Sequence, residues 1–532
     1  MSFGSEAINL LAQYDVDTIF GIPGVHTIEY YRGITETGMR TVVPRHEQGA
    51  GFMADGYTRI SGKPGVCVLL SGPGVLNAAT PIAQAWHDSI PMLVVAASTE
   101  SQFRGKNRGP LHDIPDQAGI LTQLTTESVT VTTPEEFAEV LGRTFQSWES
   151  SRPRPVHISV PTDILELDVG PINKYSLSSL PSVNNNEKIA QLVAALNEAQ
   201  RPLILVGGGA LKAAPEISML VDLIGAPLIT TGNARGLLPH DHPLNVGTLL
   251  PFESTRDLIS ASDLVIAIGT EFSDVDIIYT GKRVPQPKKM VRVDIDGAQL
   301  QSGLQAWLTI ESDAKAFSLS LIAALKVASF EKRSSFTASD VLNVRQNISW
   351  SAQSVSHFPW IDAITNSIPS DTIVSIDSTQ LAYTAHHYMP WSTAGAWLAP
   401  YGLGTLGPAL PMALGARVAS PERPILVIAG DGGFLFTIQE LATARDMGKN
   451  LVILIWDNAG YGEIRDSFDR AKASRNGVDV STFDLVGIAR GFGLEAERIT
   501  SPDQLSAAIT KGFLRTTPTV LVVTEPGSPA DK

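Results

Sequence analysis

Two apolar runs in the last third of the chain limit its fold more than any other feature. Residues 424–429 and 451–456 have the length of buried parallel strands, and residues 434–448 between them are predicted to form a crossover helix. Asp431 follows the first run closely, and Asn458 follows the second. Because parallel strands joined by a helix end at the same edge of a sheet, these two side chains are expected to lie together there.

The same residues predict a magnesium site that holds a diphosphate. Mg²⁺ prefers oxygen ligands and keeps several positions for water and phosphate, so a few protein ligands suffice. Asp431, Asn458 and the main-chain carbonyl of Gly460 provide such a set. A Gly-Asp-Gly sequence by itself is usually only a turn, so this alternative stays open at this point.

Strand-like runs alternate with helical patterns along the chain. This predicts an α/β fold of three doubly wound parallel-sheet domains, at residues 1–167, 188–328 and 340–532. Residues 168–187, which are rich in Pro, Ser and Asn, and the polar residues 329–339 are predicted to separate them. The length of 532 residues is enough for several hydrophobic cores.

Composition excludes several classes of function. A formal net charge of −14 provides no basic surface for nucleic acid or an anionic membrane. The first residues lack the basic start and apolar centre of a signal peptide, and no apolar stretch approaches the ~20 residues of a membrane helix. A cytoplasmic location is therefore expected. The one cysteine, Cys67, lies in an apolar run and is expected to be a core residue.

Four sets of residues together resemble the superfamily of thiamine diphosphate-dependent 2-oxo acid decarboxylases and acetolactate synthases. They are the Gly-Asp-Gly segment with its downstream Asn, residues 44–50, residues 21–24 with residues 71–77, and the glycine-rich residues 401–407. The resemblance covers the whole chain. It implies pyrimidine-binding, central and diphosphate-binding domains in that order, with thiamine diphosphate and Mg²⁺ as cofactors.

The resemblance also implies roles for individual residues. Glu47 would hydrogen-bond to N1′ of the aminopyrimidine and activate the cofactor, and the reaction would pass through an enamine after loss of CO₂. Leu406 would hold the two cofactor rings in a bent conformation, and the carbonyl of Gly404 would accept from the 4′-amino group. The alternatives are a solvated helix cap at Glu47 and a flexible surface loop at residues 401–407. Further cofactor contacts would come from Pro23, Gly24, Asn77, Thr379, Gln380, Gly430, Gly432, Gly433, Tyr461 and Gly462.

The substrate pocket of the family is lined by the two residues five and six positions after the metal-binding Asn. Here these residues are Glu463 and Ile464. A buried carboxylate is costly without a partner, so Glu463 predicts a substrate with a cationic tail. The alternative is an internal ion pair of Glu463 with Arg465 or another basic residue.

Residues 109–117 and 462–466 resemble the subgroup called 5-guanidino-2-oxopentanoate decarboxylases. Acetolactate synthases have Phe-Gln in place of Leu111 and His112, and Trp in place of Ser467. His112 is the candidate for proton handling, because an imidazole donates and accepts near neutral pH; its alternative role is to orient a loop. The other pocket positions that the resemblance implies are Val25, Asp113 and Ser467.

The predicted activity is decarboxylation of a 2-oxo acid with a basic side chain. Carboligation of the acetolactate or acetoin type is the enzymatic alternative, and a non-catalytic cofactor-binding paralogue is the alternative of another class. In the family, the residues corresponding to Glu47 and Asp431 around one cofactor come from different subunits. A homodimer is therefore the expected minimum, and a homotetramer is the expected assembly.

Two further sequence features are less specific for a function. Gly207, Gly208 and Gly209 follow an apolar run, as in sites for FAD, but lack the spacing of a full dinucleotide fingerprint. His386 and His387 lack companions at zinc-like spacing and are expected to have loop or surface roles.

Overall fold

The structure is a computed structural model that describes residues 1–106, 108–175, 177, 184–277, 283–480 and 483–528. Its strands form three parallel sheets of six strands each, and helices cover the sheets. The predicted α/β fold class is confirmed. Within these residues, no helix combines the length and the apolar character needed to cross a bilayer.

The first sheet contains the strands β1 (Thr18–Phe20), β2 (Arg40–Val42), β3 (Gly65–Leu69), β4 (Met92–Ser98), β5 (Glu127–Thr130) and β6 (Val156–Pro161). Their order across the sheet is β2-β1-β3-β4-β6-β5. Cys67 is fully buried in β3, as expected of a core residue, and burial raises the pKa of its thiol to about 12. The helices of this part are α1 (Phe3–Gln13), α2 (Ile28–Thr37), α3 (Glu47–Ser61), α4 (Pro73–Asn77), α5 (Ala79–His87), α6 (Gln117–Leu121), α7 (Pro134–Ser150) and α8 (Thr162–Leu165).

The second sheet contains the strands β7 (Pro202–Val206), β8 (Leu228–Thr230), β9 (Asn245–Gly247), β10 (Leu264–Ile268), β11 (Met290–Asp294) and β12 (Leu308–Glu311). Their order is β12-β11-β10-β7-β8-β9. The strand order therefore reverses between the neighbouring strands β7 and β10. The helices of this part are α9 (Asn186–Glu198), α10 (Ala214–Ile224), α11 (Glu253–Ala261), α12 (Asp274–Ile277), α13 (Ala314–Val327), α14 (Ala338–Gln346) and α15 (Ala352–Thr365).

The third sheet contains the strands β13 (Ile373–Ile376), β14 (Trp397–Leu398), β15 (Ile425–Gly430), β16 (Leu451–Asp457), β17 (Glu495–Ile499) and β18 (Thr519–Thr524). Their order is β14-β13-β15-β16-β18-β17. The apolar runs at residues 424–429 and 451–456 are therefore the adjacent parallel strands β15 and β16 at the centre of this sheet. The helices are α16 (Gln380–Tyr388), α17 (Ala409–Ala419), α18 (Asp431–Phe434), α19 (Glu440–Met447), α20 (Gly462–Arg470), α21 (Leu485–Gly491) and α22 (Pro502–Phe513).

The connection between β15 and β16 differs in detail from the expected single helix over residues 434–448. One short helix, α18, begins at Asp431 itself, and the longer helix α19 begins only at Glu440. The first turn therefore starts directly at the predicted metal ligand, which points main-chain amides of that turn toward the edge of the sheet.

The chain forms two compact units. One comprises residues 1–179, 367–382 and 398–532, which include the first and most of the third sheet, and the other comprises residues 180–366 and 383–397. The boundaries predicted at 167, 188, 328 and 340 remain predictions. Residues 176 and 178–183 of the predicted linker lie outside the described residues.

Within the first unit, helices α3 and α17 pack at backbone contact. A Cβ atom on Gly56 would overlap the carbonyl oxygen of Met412, and a Cβ atom on Gly415 would overlap that of Met53. The two glycines thus permit a close approach that any larger residue would block. This contact joins the predicted pyrimidine-binding domain to the predicted diphosphate-binding domain of the same chain.

In the second unit, backbone packing accounts for the glycine run at residues 207–209. The amide of Gly207 donates to the carbonyl of Ile268 at 3.0 Å, and that of Gly209 donates to Gly269 at 3.1 Å. A Cβ atom on Gly207 would overlap the carbonyl oxygen of Gly269. These glycines allow two loops to make contact. This contact explains the glycine run without a bound dinucleotide.

The expectation of loop or surface roles for the paired histidines is wrong. His386 and His387 lie in α16, and His386 is buried beside Trp397. His387 Nδ1 lies 2.7 Å from the carbonyl oxygen of Thr248. Burial lowers the pKa of His387 to about 4, so this ring is neutral and can be buried without a counter-ion.

Candidate active site

Asp431 and Asn458 lie together at the carboxyl end of β15 and β16. The Asp431 Oδ2 atom accepts from the amide of Gly460 at 2.7 Å, and its Oδ1 atom accepts from the amide of Asn458 at 3.4 Å. Ala459 and Gly460 have φ angles of 61° and 126°, so the chain turns sharply between these contacts. The structure therefore brings the three predicted metal ligands into one loop cluster.

Three oxygen atoms converge in this cluster. One terminal atom of the Asn458 amide lies 2.8 Å from the carbonyl oxygen of Gly460 and 3.3 Å from Oδ1 of Asp431; the NH₂ group would donate to both there, and the oxygen suits this place when a cation is bound. Oxygen acceptors at these distances repel one another unless a cation lies among them. One carboxylate, one amide oxygen and one carbonyl are the hard donor set that Mg²⁺ takes. These residues therefore fit a magnesium ion.

The electrostatics of Asp431 agree with a site that needs a cation. Burial, opposed by hydrogen bonds from the amides of Gly460 and Asn458 and aided by nearby Asp457, raises the pKa of Asp431 to about 6. A nearby cation would favour the charged carboxylate and lower this pKa again. Across the described residues, no group of three or more His, Cys, Asp or Glu side chains could hold a metal. A site here must thus use amide and carbonyl oxygens as well.

The turn after β15 is closely packed against its neighbours. A Cβ atom on Gly430 would lie 2.9 Å from Oγ1 of Thr379, and one on Gly432 would lie 3.0 Å from the ring of Tyr461. A side chain at either glycine would therefore have to displace Thr379 or Tyr461. The turn therefore has glycine where Thr379 and Tyr461 approach it, and both residues border the predicted diphosphate site.

Asp377 is a further carboxylate at this edge, directly after β13. It is 1% exposed, and it accepts from the amides of Ser378 at 2.8 Å and Gly407 at 2.9 Å. A Cβ atom on Gly433 would lie 3.1 Å from this carboxylate. Burial raises the pKa of Asp377 to about 7 against the effect of the two amide bonds. Asp377 therefore ties the glycine-rich loop to the turn after β15.

The glycine-rich loop is held at both ends. At one end, Asp88 accepts from the amide of Gly402 at 3.0 Å, and Gln84 accepts from the amide of Leu403 at 3.1 Å. At the other end, the hydroxyl of Thr437 donates to the carbonyl of Gly407 at 2.6 Å. The loop is consequently anchored to its neighbours at both ends.

Between its two anchors, this loop contains the residues that were assigned to the cofactor rings. Gly404 has a φ of 65°, and its amide donates to the carbonyl of Pro400 at 2.9 Å. Leu406 is half-buried. The roles of Gly404 and Leu406 remain predictions.

Glu47 begins helix α3 and lies beside the turn that follows β3. Its Oε2 atom accepts from Nδ2 of Asn77 at 2.9 Å, and a Cβ atom on Gly74 would lie 3.6 Å from its Oε1 atom. A Cβ atom on Gly24 would lie 2.7 Å from Leu70 in the same region. The structure thus brings Glu47, Asn77, Pro23 and Gly24 to the carboxyl ends of β1 and β3.

His112 lies near the same turn. A Cβ atom on Gly72 would overlap the carbonyl oxygen of His112, whose own φ is 60°. The His112 ring contacts that of His26 edge to face, with centroids 5.3 Å apart. His26 Nδ1 lies 2.6 Å from Oγ of Ser71. Asp113 accepts from Thr99 at 2.9 Å, and Val25 is 63% exposed.

Helix α20 carries the remaining predicted pocket residues. Glu463 forms an ion pair with Arg470 at 2.7 Å, and Ser467 accepts from the same guanidinium at 2.8 Å. The alternative of an internal ion pair of Glu463 with Arg465 or another basic residue is therefore found, with Arg470 as the partner. Arg465 points elsewhere. Its guanidinium donates to the carbonyls of Asn458 at 2.5 Å and Ala459 at 2.9 Å. Ile464 is 49% exposed.

The predicted site residues form two groups in one chain. Glu47 belongs to the group at β1 and β3, and Asp431 belongs to the group at β15 and β16. Across the residues that the structure describes, no hydrogen bond or ion pair joins Glu47 to Asp431 or Asn458.

Three residues of interest were missed by sequence reasoning. Asp377 follows the apolar strand β13 as Asp431 follows β15, so the same strand-end pattern could have found it. His26 lies two residues after the predicted cofactor loop at residues 21–24. Asp466, whose carboxylate accepts from Gln380 at 2.7 Å, lies within the subgroup motif at residues 462–466, which assigned no role to it.

Comparison with known proteins gives the same domain order. Three models of thiamine pyrophosphate enzymes match: the N-terminal TPP binding domain at residues 1–120, the central domain at residues 189–321 and the C-terminal TPP binding domain at residues 377–523. The chain is 39% identical to the probable 2-ketoarginine decarboxylase AruI of Pseudomonas aeruginosa, over 96% of this chain and 92% of that protein. It is 31% identical to the probable acetolactate synthase large subunit of Methanocaldococcus jannaschii, over 98% of this chain and 92% of that protein. It is also 31% identical to the acetolactate synthase isozyme 1 large subunit of Escherichia coli, over 92% of this chain and 87% of that protein.

Proposed function

The chain belongs to the family of thiamine pyrophosphate enzymes and is a thiamine diphosphate-dependent 2-oxo acid decarboxylase, and from this we propose that its substrate has a cationic side chain, as 5-guanidino-2-oxopentanoate does. Similarity to a probable 2-ketoarginine decarboxylase supports this proposal. The observation that supports it most is the place of Glu463, a carboxylate one side chain away from the predicted metal ligand Asn458.

Gln380 connects these two residues. It lies with its Nε2 atom 3.5 Å from Oε2 of Glu463 and its Oε1 atom 3.1 Å from Nδ2 of Asn458. The carboxylate of Glu463 would therefore lie within reach of the side chain of a substrate bound beside the cofactor. The present partner of that carboxylate, Arg470, is 62% exposed, and exposed ion pairs are weak. A guanidinium on the substrate can replace it at little cost.

The cofactors fit the residues already described. We propose that Asp431, Asn458 and the carbonyl of Gly460 hold Mg²⁺, with the diphosphate at the glycines after β15. Glu47 would hold the aminopyrimidine, and Leu406 would support the cofactor rings. When bound, thiamine diphosphate supplies the electron sink that allows a 2-oxo acid to lose CO₂. His112, beside His26, is proposed to move a proton at the carbon that has lost CO₂.

The proposal is tested by comparing a cationic substrate with a neutral analogue of the same shape. We expect kcat/KM for 5-guanidino-2-oxopentanoate to exceed that for 5-ureido-2-oxopentanoate and for pyruvate. In Glu463→Gln, the preference should fall by about ten- to a hundredfold, since a charge-assisted contact contributes about 1.5 to 3 kcal/mol. Pyruvate turnover should be nearly unchanged. An equal ratio in wild type and variant would remove Glu463 from substrate recognition.

Carboligation is the second candidate, and the similarity to two acetolactate synthases favours it. Leu111, His112 and Ser467 stand where acetolactate synthases have Phe, Gln and Trp, which opposes it. The test is to supply pyruvate alone and then with an aldehyde, and to measure CO₂ and condensed products together. Acetolactate formed in step with CO₂ would favour carboligation.

A further inference from the structure

Three side chains form a line from helix α20 to the predicted metal site. The carboxylate of Asp466 accepts from Nε2 of Gln380 at 2.7 Å. The Oε1 atom of Gln380 accepts from Nδ2 of Asn458 at 3.1 Å. Gln380 is 6% exposed, and Asn458 is 5% exposed. The line therefore begins at a partly exposed carboxylate and continues into the interior of the unit.

The chemistry of each group determines the direction of the next. A carboxylate can only accept hydrogen bonds, so the NH₂ end of Gln380 must face Asp466. The oxygen end of Gln380 must then face Asn458, which turns the NH₂ end of Asn458 toward it. The side-chain oxygen of Asn458 is left facing Gly460 and Asp431, at 2.8 Å and 3.3 Å from their oxygen atoms.

The opposite orientation of the Asn458 amide suits a chain without a cation. A 180° rotation would let its NH₂ group donate to Gly460 and Asp431, but it would also place its oxygen against Oε1 of Gln380. Relieving that contact would require rotation of Gln380, which would direct its oxygen at the carboxylates of Asp466 and Glu463. One amide oxygen facing two carboxylates is more costly than one amide oxygen that can bind a cation.

Packing leaves little room for the line to rearrange. A Cβ atom on Gly462 would lie 2.7 Å from Oε1 of Gln380 and would overlap Nδ2 of Asn458. Glycine at this first position of α20 thus allows the two amides to meet. The neighbouring charges are already engaged, since Glu463 pairs with Arg470 and Asp469 pairs with Arg475 at 2.6 Å.

We propose that Asp466 is a positioning residue for the metal site: through Gln380, its carboxylate holds the side chain of Asn458 with the oxygen directed at the cation. Asp466 does not touch the cation, and its effect depends on the polarity of the two amides between them. The proposal rests on the proposed Mg²⁺ site and adds the residue that sets the orientation of one ligand.

The test is a double-mutant cycle on Mg²⁺ affinity, measured by calorimetry on the full chain in the presence of thiamine diphosphate. In Asp466→Asn, the new amide can present either its oxygen or its NH₂ group to Gln380. The orientation of the Gln380 amide is then no longer fixed. We expect it to weaken Mg²⁺ binding about tenfold, the lower end of what loss of an outer-shell partner produces. In a Gln380→Leu background, the same change should have no further effect, because the connection is already broken. Asp466→Glu should restore part of the affinity.

Asp469→Asn is the matched control, since it removes the same charge from the same helix but has its hydrogen bonds with Arg475. Equal losses in Asp466→Asn and Asp469→Asn would reduce the effect to general charge and overturn the proposal. So would wild-type affinity in Asp466→Asn, or a full tenfold loss in the Gln380→Leu background. A wrong assignment of the metal site would be recognised by a different result. In that case, Asp431→Ala would bind Mg²⁺ and cofactor as the wild type does.

Discussion

At the scale of single residues, helix geometry decides which arginine pairs with Glu463. Residues two positions apart point to different sides of a helix, whereas residues seven apart return to the same face after about two turns. Arg465 therefore turns away to the carbonyls of Asn458 and Ala459, and Arg470 reaches Glu463. The alternative of an internal ion pair with Arg465 or another basic residue is thus found at Arg470, and the spacing of the two arginines already distinguished them.

Arg470→Met should improve binding of a guanidinium substrate. Arg470 competes for the carboxylate of Glu463, and its exposed ion pair has the strength of a weak surface contact. We expect KM for 5-guanidino-2-oxopentanoate to fall about two- to fivefold with kcat unchanged. Steady-state kinetics with the neutral ureido analogue, whose KM should stay constant, provides the comparison. Arg475→Met is the matched control, and a higher KM in Arg470→Met would show that this arginine assists binding.

Asp377 should make the cofactor-free protein less stable as the pH rises. Its pKa in the folded chain is raised to about 7, so between about pH 4 and pH 7 the folded state holds a proton that the unfolded state has released. Stability is therefore lost across this range and is constant above it. From pH 5 to pH 7, the wild type should lose about 2 kcal/mol more than Asp377→Asn does.

The measurement is urea unfolding of wild type and variant at both pH values. Asp431 and Glu440 also have raised pKa values, but they are present in both proteins and cancel in the difference. Parallel pH profiles would mean that Asp377 does not titrate in this range.

At the scale of helices and strands, the sequence predicted what depends on local pattern and on the topology of parallel sheets. The apolar runs gave β15 and β16, and their shared edge explains why Asp431 and Asn458 meet. The bond from Gln380 to Asp466 could not be predicted, because it joins residues 86 positions apart and depends on how α16 and α20 are turned. Spacing along the chain has no information on such rotations.

The contact of α3 with α17 leads to a prediction on stability. Alanine is usually better than glycine within a helix, but at Gly415 the added methyl group would overlap the carbonyl oxygen of Met53. We expect Gly415→Ala to destabilise the protein by about 1 to 3 kcal/mol. Thermal unfolding would measure this. Gly491 is the matched control in α21, where nothing lies within 4 Å of the added atom, and Gly491→Ala should be neutral or slightly stabilising.

At the scale of the whole molecule, the resemblance to the family predicts the assembly, because there the residues corresponding to Glu47 and Asp431 around one cofactor come from different subunits. We expect the active enzyme to be at least a homodimer, and a homotetramer in its full form, with Glu47 and Asp431 of one site from different chains. Glu47→Gln and Asp431→Ala should each be nearly inactive. When the two variants are mixed and reassembled, about a quarter of wild-type activity should return, because half of the pairs are mixed and each has one intact site.

Light scattering on the same samples gives the mass of the active species. Activity in a monomeric fraction, or no recovery after verified exchange of chains, would contradict a site shared between chains.

The hydrogen bonds at both ends of the glycine-rich loop affect the kinetics of cofactor binding. One end is held by Asp88 and Gln84, and the other end is held by Asp377 and Thr437. The conformational entropy of this loop is lost when the chain folds and not when the cofactor binds. Association should thus proceed as a single phase whose rate grows in proportion to cofactor concentration, without the plateau that a slow closing step would impose.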